Sequence, residues 1–232
     1  MPPDNNTFDL TKFINHAQVG GIERYTFDDG EARGTRALLV NTGGGLRYRV
    51  LVDRGLDIDQ AFHNQHSLTF LSHKGVTKPT RALDRGLDWL KGFPVGLLTS
   101  CGPFNIGAPA TDQGEELGLH GPHSNTAATL ESVVQPEPHN GQMDMTIVGR
   151  VRYGAFYGPC VELKRTIAST LGGNTIRISD DFYNAGNNAF WAGTNPTGVW
   201  PYPGLLAASF LASYIPALRA TSVDPTVALR SQ

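Results

Sequence analysis

Cysteine, charge and long apolar runs are all scarce in this 232-residue chain. Two cysteines, Cys101 and Cys160, are too few for a disulfide scaffold, and neither belongs to a C-x-x-C pair. Charged residues make up 17%, and 19 basic against 21 acidic leave a net charge of −2. The clustered basic excess of a nucleic-acid footprint is therefore missing. No run reaches 18 apolar residues, so neither a spanning helix nor a membrane partner is expected. The N-terminus, MPPDNNTFDL, has no basic segment followed by an apolar stretch, so no secretory signal is read and a cytoplasmic location is expected. Gly43-Gly44-Gly45 is not followed by Gly-Lys-Ser/Thr, and neither G-x-S-x-G nor a strand-to-helix G-x-G-x-x-G occurs. These absences remove the common nucleotide, hydrolase and dinucleotide signatures, and no cofactor is expected.

Glycine and turn chemistry are abundant instead. There are 27 glycines and 15 prolines, with 40% hydrophobic residues, enough for a core interrupted by many turns. Apolar β-type runs at 37–40 and 48–52 flank the turn Asn41-Thr42-Gly43-Gly44-Gly45. Apolar and polar residues alternate over 46–51, 143–153, 161–169 and 174–181, with Gly172-Gly173-Asn174 as a hairpin turn between the last two. Only 11–13 and 81–90 offer weak helical patterns. Closely spaced strands without intervening helices predict an all-β, antiparallel fold.

Composition changes near residue 190. Residues 191–232 hold five prolines but only Arg219, Asp224 and Arg230 as charges, and their apolar part, 205–218, shows no strand alternation and contains Pro216. One β domain over 1–190 followed by an atypical tail over 191–232 is therefore expected, the tail irregular or helical and loosely held beyond about residue 223.

Chemistry-bearing residues concentrate in three segments. Gly118-Leu119-His120-Gly121-Pro122-His123-Ser124-Asn125 puts histidine into Gly-Pro turn chemistry, which suits either a functional loop group or a histidine bonded to backbone. His120 and His123, spaced i,i+3 with Glu131 beyond, are the sparse beginnings of a metal site, which needs three or more convergent ligands. His63, His66 and His73 have no interpretable spacing and suit surface loops. Asp53-Arg54-Gly55 follows an apolar strand, where Arg54 either offers its fork of donors to a polar ligand or pairs locally with Asp53. Cys101, in Thr99-Ser100-Cys101-Gly102-Pro103-Phe104-Asn105, suits a nucleophile or a small buried hydrophobe.

Four blocks in this order resemble the galactose mutarotase-like superfamily, in its aldose epimerase branch. They are Asp53-Arg54-Gly55-Leu56-Asp57-Ile58, the stretch LKGFPVGLLTSCGPFN over 90–105, the 118–125 segment with Thr126-Ala127-Ala128, and DDFYNAGNNAF over 180–190. The resemblance implies a large antiparallel β-sandwich (the supersandwich) with an open sugar-binding face, incomplete at its C-terminus. It also implies an activity, the interconversion of aldose anomers by acid/base ring opening, with a small-molecule sugar as partner. It places His120, in Leu-His-Gly, as the first of two active-site histidines, and Arg54 and Asn105 as sugar-hydroxyl ligands. The second histidine and a glutamate base are expected after Phe190, where this chain has Trp191-Ala192-Gly193-Thr194-Asn195-Pro196 and then Asp224 as its only acid. A truncated or frameshifted, impaired epimerase is the resulting expectation. A non-catalytic carbohydrate-binding sandwich is the alternative, and a metal-dependent small β-barrel enzyme using His120 and His123 is a third.

Overall fold

The computed structural model describes residues 8–112, 114–154 and 160–184. Its first sheet is a meander of β1 (Gly21–Thr26), β2 (Arg36–Asn41), β3 (Leu46–Leu51), β4 (Asp57–His63) and β5 (His66–Ser67), each strand antiparallel to the next. Two short ribbons follow, β6 (Phe70–Leu71) with β7 (Val95–Gly96), and β8 (Ala110–Asp112) with β9 (Glu115–Leu117). The second sheet is another meander, of β10 (Thr129–Val134), β11 (Asp144–Gly154), β12 (Cys160–Thr170) and β13 (Arg177–Asn184). The weak helical patterns are single turns of 3-10 helix, Leu10–Lys12, Arg81–Asp84 and Asp88–Lys91, and no α-helix occurs among the described residues. The expected domain boundary at 190 and the tail 191–232 lie outside the described residues.

Strand alternation explains why the two sheets face each other. Along β3, Leu46, Tyr48 and Val50 are buried while Arg47 and Arg49 point away from the core. Along β11, Met145, Ile147, Val151 and Tyr153 turn inward, and along β12 so do Leu163 and Ile167. These side chains join Leu38, Val40 and Ile58 of the first sheet in one apolar cluster, the filling of a β-sandwich. Register is thereby fixed, because a one-residue slip would turn every inward residue to solvent. A buried hydrogen bond ties the sheets together as well, between the Tyr48 hydroxyl and Ser169 Oγ at 2.9 Å.

One inward position on β12 is not apolar. Arg165 has the same parity as Leu163 and Ile167, so the pleat carries its guanidinium into the sandwich. The segments linking the two sheets, 72–109 and 118–128, close over this charged end of the core.

Candidate functional site

Buried charge needs partners, and around Arg165 it has them. Arg165 Nε and Nη2 donate to the two oxygens of Asp180 on β13 at 2.8 and 2.7 Å. Its Nη1 donates to Asp57 Oδ1 and to the Gly55 carbonyl, both at 3.2 Å. Asp57 also accepts the Ser100 N–H, so one carboxylate holds the 99–105 segment against the sandwich. Burial pushes the Asp57 carboxyl up to about 6, against the opposing pull of Arg165.

His123 sits in the same cluster, only 2% exposed. Its Nε2 lies 2.9 Å from the Gly55 carbonyl, which only accepts, so Nε2 carries the proton and Nδ1 accepts from the Tyr153 hydroxyl. Burial first, and Arg165 next, push this imidazole down to about 3, so it is neutral at any ordinary pH. Burial likewise raises Tyr153 well above its usual range. Both ring nitrogens of His123 are therefore committed, and it is not free to ligate a metal. Among the described residues no group of three or more His, Cys, Asp or Glu is placed to hold one. The role of His123 as a strut between loop and sandwich shows only in three dimensions.

His120 rides on that strut. Its backbone is left-handed, φ 58°, and Gly121 after it is too, φ 72°. Three hydrogen bonds hold it: its N–H to Gly107 O at 3.0 Å, Gly102 N–H to its carbonyl at 2.7 Å, and Gly107 N–H to its Nδ1 at 3.2 Å. The ring edge packs on Trp89, with centroids 4.8 Å apart, and Trp89 is itself fixed by Nε1 donating to Ser124 Oγ at 2.8 Å. The imidazole is half-buried, burial lowers its pKa, and Nε2 makes no hydrogen bond among the described residues. A strained, over-determined backbone carrying one uncommitted polar atom is how binding groups are presented.

Asn105 and Arg54 are placed differently. Asn105 adjoins the His120 loop, but its Nδ2 donates to Ala108 O at 3.0 Å and to Gly118 O at 2.7 Å, so its amide braces the loop. Arg54 is buried at 2% exposure with Nη1 donating to the Thr77 carbonyl at 3.1 Å. Asp53 does not pair with it; that carboxylate takes Arg36, at 2.6 Å, because the turn sends the two neighbouring side chains to opposite sides. Arg54 has no carboxylate within ion-pair distance among the described residues, although the fields of Asp57 and Asp59 partly offset the burial that lowers its pKa. No hydrogen bond joins Arg54 to His120 among the described residues. Cys101 has its thiol raised to about 11, mainly by burial and then by Asp57, which leaves it a poor nucleophile near neutrality.

The acid that the fold brings to this loop is Asp84, absent from the expectations drawn from sequence. It ends the turn Arg81–Asp84, whose C-terminal side packs on Gly118, and it accepts from Asn125 Nδ2 at 2.9 Å. Burial raises its pKa. The packing is close enough to make a sharp prediction: a Cβ at Gly118 would come within 2.0 Å of the Asp84 carbonyl oxygen. Gly118→Ala is expected to displace the loop and destabilise the protein by about 1–3 kcal/mol, measured by urea denaturation. An unchanged midpoint would show that the contact is loose.

His63 and His66 face each other across the β4–β5 hairpin, and His66 and His73 are exposed, as surface residues are.

No curated protein matches the chain. Among solved structures, a "putative aldose 1-epimerase" from Klebsiella pneumoniae subsp. pneumoniae MGH 78578 matches with a TM-score of 0.63 and 24% identity. The match covers 74% of this chain and 46% of that one, so the chain spans less than half the length of that protein. The likeness shows a shared fold, an antiparallel β-sandwich, present here over part of that protein's length. Residues 32–192 match the family described as "Domain of unknown function (DUF4432)", and with that stretch running from before β2 past the end of β13, the chain belongs to the DUF4432 family.

Proposed function

We propose that this chain binds an aldose or a related sugar at the loops 102–107 and 118–125, and that the reaction there is anomer interconversion. His120 carries the proposal: its backbone and Nδ1 are pinned, leaving Nε2 as an uncommitted polar atom beside an indole. The epimerase-like fold supports a sugar as the ligand. In the reaction the anomeric hydroxyl loses its proton, the bond from C1 to the ring oxygen breaks, C1=O forms and the ring oxygen gains a proton. His120 would hydrogen-bond the ring oxygen in this exchange.

The test is anomer exchange followed by NMR on freshly dissolved α-aldoses with purified protein. Exchange faster than buffer alone is expected, falling about 10²–10⁴-fold in His120→Ala, with thermal stability changed by no more than about 1–2 kcal/mol because a half-buried ring gives up one hydrogen bond and its edge contact with Trp89. Saturable sugar binding without exchange would replace this with a binding sandwich. Neither binding nor exchange would overturn it.

A further inference from the structure

The tautomer of His120 is set by its surroundings, and it decides what kind of contact the ring can make. Gly107 N–H points at Nδ1 from 3.2 Å. A backbone N–H only donates, so Nδ1 holds a lone pair and the single ring proton sits on Nε2. Gly107 cannot turn away to relieve a second proton. Its carbonyl accepts the His120 N–H at 3.0 Å, so the two residues are joined by a reciprocal pair of bonds. Behind them, the His120 carbonyl is held by Gly102 N–H at 2.7 Å, and the ring edge rests on Trp89. An imidazolium would set N–H against N–H inside this clamp.

We infer that His120 acts as a neutral, fixed-tautomer hydrogen-bond donor through Nε2–H, directed at a sugar oxygen, and does not act as an imidazolium that hands over a proton. The inference deepens the sugar reading of this loop and rests on it for the ligand, while the tautomer rests on geometry alone. Burial lowers the imidazole pKa in the same direction. The charged groups on the elements packed against the ring are Arg81 and Asp84, paired with each other at 2.7 Å on the turn Arg81–Asp84, and Asp88 and Lys91 on the turn that carries Trp89. None of them contributes to that lowering, which comes from burial alone.

A neutral imidazole is an effective electrophile in isomerisation, because a pre-aimed N–H stabilises charge developing on oxygen without needing to ionise. The bonds then balance without a proton passing through His120. O1–H and the bond from C1 to the ring oxygen break, while C1=O1 and ring-oxygen–H form. The proton given up by O1 and the one gained by the ring oxygen are exchanged with solvent water.

Two measurements on the full chain test this. In the first, long-range ¹H–¹⁵N correlation spectra of ¹⁵N-histidine-labelled protein are recorded between pH 6 and 8, with His120 assigned by its loss in His120→Gln. An unprotonated Nδ1 and a protonated Nε2 across that range are expected. Two protonated nitrogens at pH 7, or the opposite tautomer, would overturn the inference. The second compares anomer exchange in His120→Gln and His120→Ala. Glutamine keeps a neutral N–H donor on a side chain of similar reach, so it is expected to retain kcat within about tenfold, against the far larger loss in alanine. A glutamine variant as impaired as alanine, down about 10²–10⁴-fold, would assign proton transfer to His120 and overturn the donor role. If wild-type protein exchanges no aldose while the tautomer is as expected, the sugar reading falls and the tautomer assignment stands.

Discussion

Replacing Arg165 by methionine is expected to cost about 3–5 kcal/mol of stability, the largest single effect in the molecule. The guanidinium is 2% exposed and satisfies Asp180, Asp57 and the Gly55 carbonyl together. Removing it leaves two carboxylates facing each other at the edge of an apolar core, with nothing of opposite sign in contact. Asp57, already raised to about 6, loses its main opposing influence and rises further. The variant is therefore expected to be less damaged at pH 5 than at pH 7, since protonating Asp57 removes one unpaired charge. Arg165→Met combined with Asp57→Asn and Asp180→Asn is expected to recover part of the loss, because a neutral cluster has no ion left uncompensated. Urea denaturation at both pH values measures all three effects. A single variant as stable as wild type would mean that the ion cluster contributes nothing to the fold.

His123→Ala is expected to cost about 3–4 kcal/mol at pH 7, from the cavity left by a fully buried ring and the unpaired Tyr153 hydroxyl. Its pH dependence separates this from ordinary core loss. His123 is held at about 3 in the folded chain, below the usual value of 6.5. Its stabilisation is complete above pH 6.5 and is lost as pH falls toward 3, since only the unfolded chain takes up the proton. Asp57 works in the opposite sense: with its folded pKa raised from 3.8 to about 6, it favours folding more as pH falls through that window. In wild type the two trends offset each other between about pH 6 and 4. In His123→Ala only the Asp57 trend remains, so the variant is expected to gain stability on acidification from pH 6 to 4 while wild type stays nearly level. Parallel pH profiles for the two proteins would remove His123 from the titrating cluster.

The strands were legible in the sequence because their information is local. Alternation over 46–51, 143–153 and 161–169 is the signature of a pleat with one buried face, and the structure has β3, β11 and β12 there. The turns were legible for the same reason, since Asn41-Thr42-Gly43-Gly44-Gly45 and Gly172-Gly173-Asn174 have few other conformations open to them. Even Arg165 left a local trace: it shares the parity of Leu163 and Ile167, and a charge on an apolar face signals a buried ion. The weak helical pattern over 81–90 became two 3-10 turns, because Gly86 between them takes φ 49° and stops a continuous helix.

What the sequence could not settle were contacts between residues far apart along the chain. Arg54 and Asp53 are neighbours in sequence, yet Asp53 binds Arg36 while Arg54 runs inward to Thr77. His120 and His123 look alike on one loop, but tertiary packing committed both nitrogens of His123 to Gly55 and Tyr153 and left Nε2 of His120 uncommitted. Asp84 reached the loop only through tertiary contacts, the fit of Gly118 against its carbonyl and the hydrogen bond from Asn125. The sequence by itself determined an antiparallel β fold and the loop that carries the polar groups, because period and turn chemistry act over a few residues. Which of those groups are struts and which is presented for chemistry was decided by the tertiary structure. A hydrogen-bonding atom is free or spent only once its partner, 50 or 100 residues away, has been brought to it.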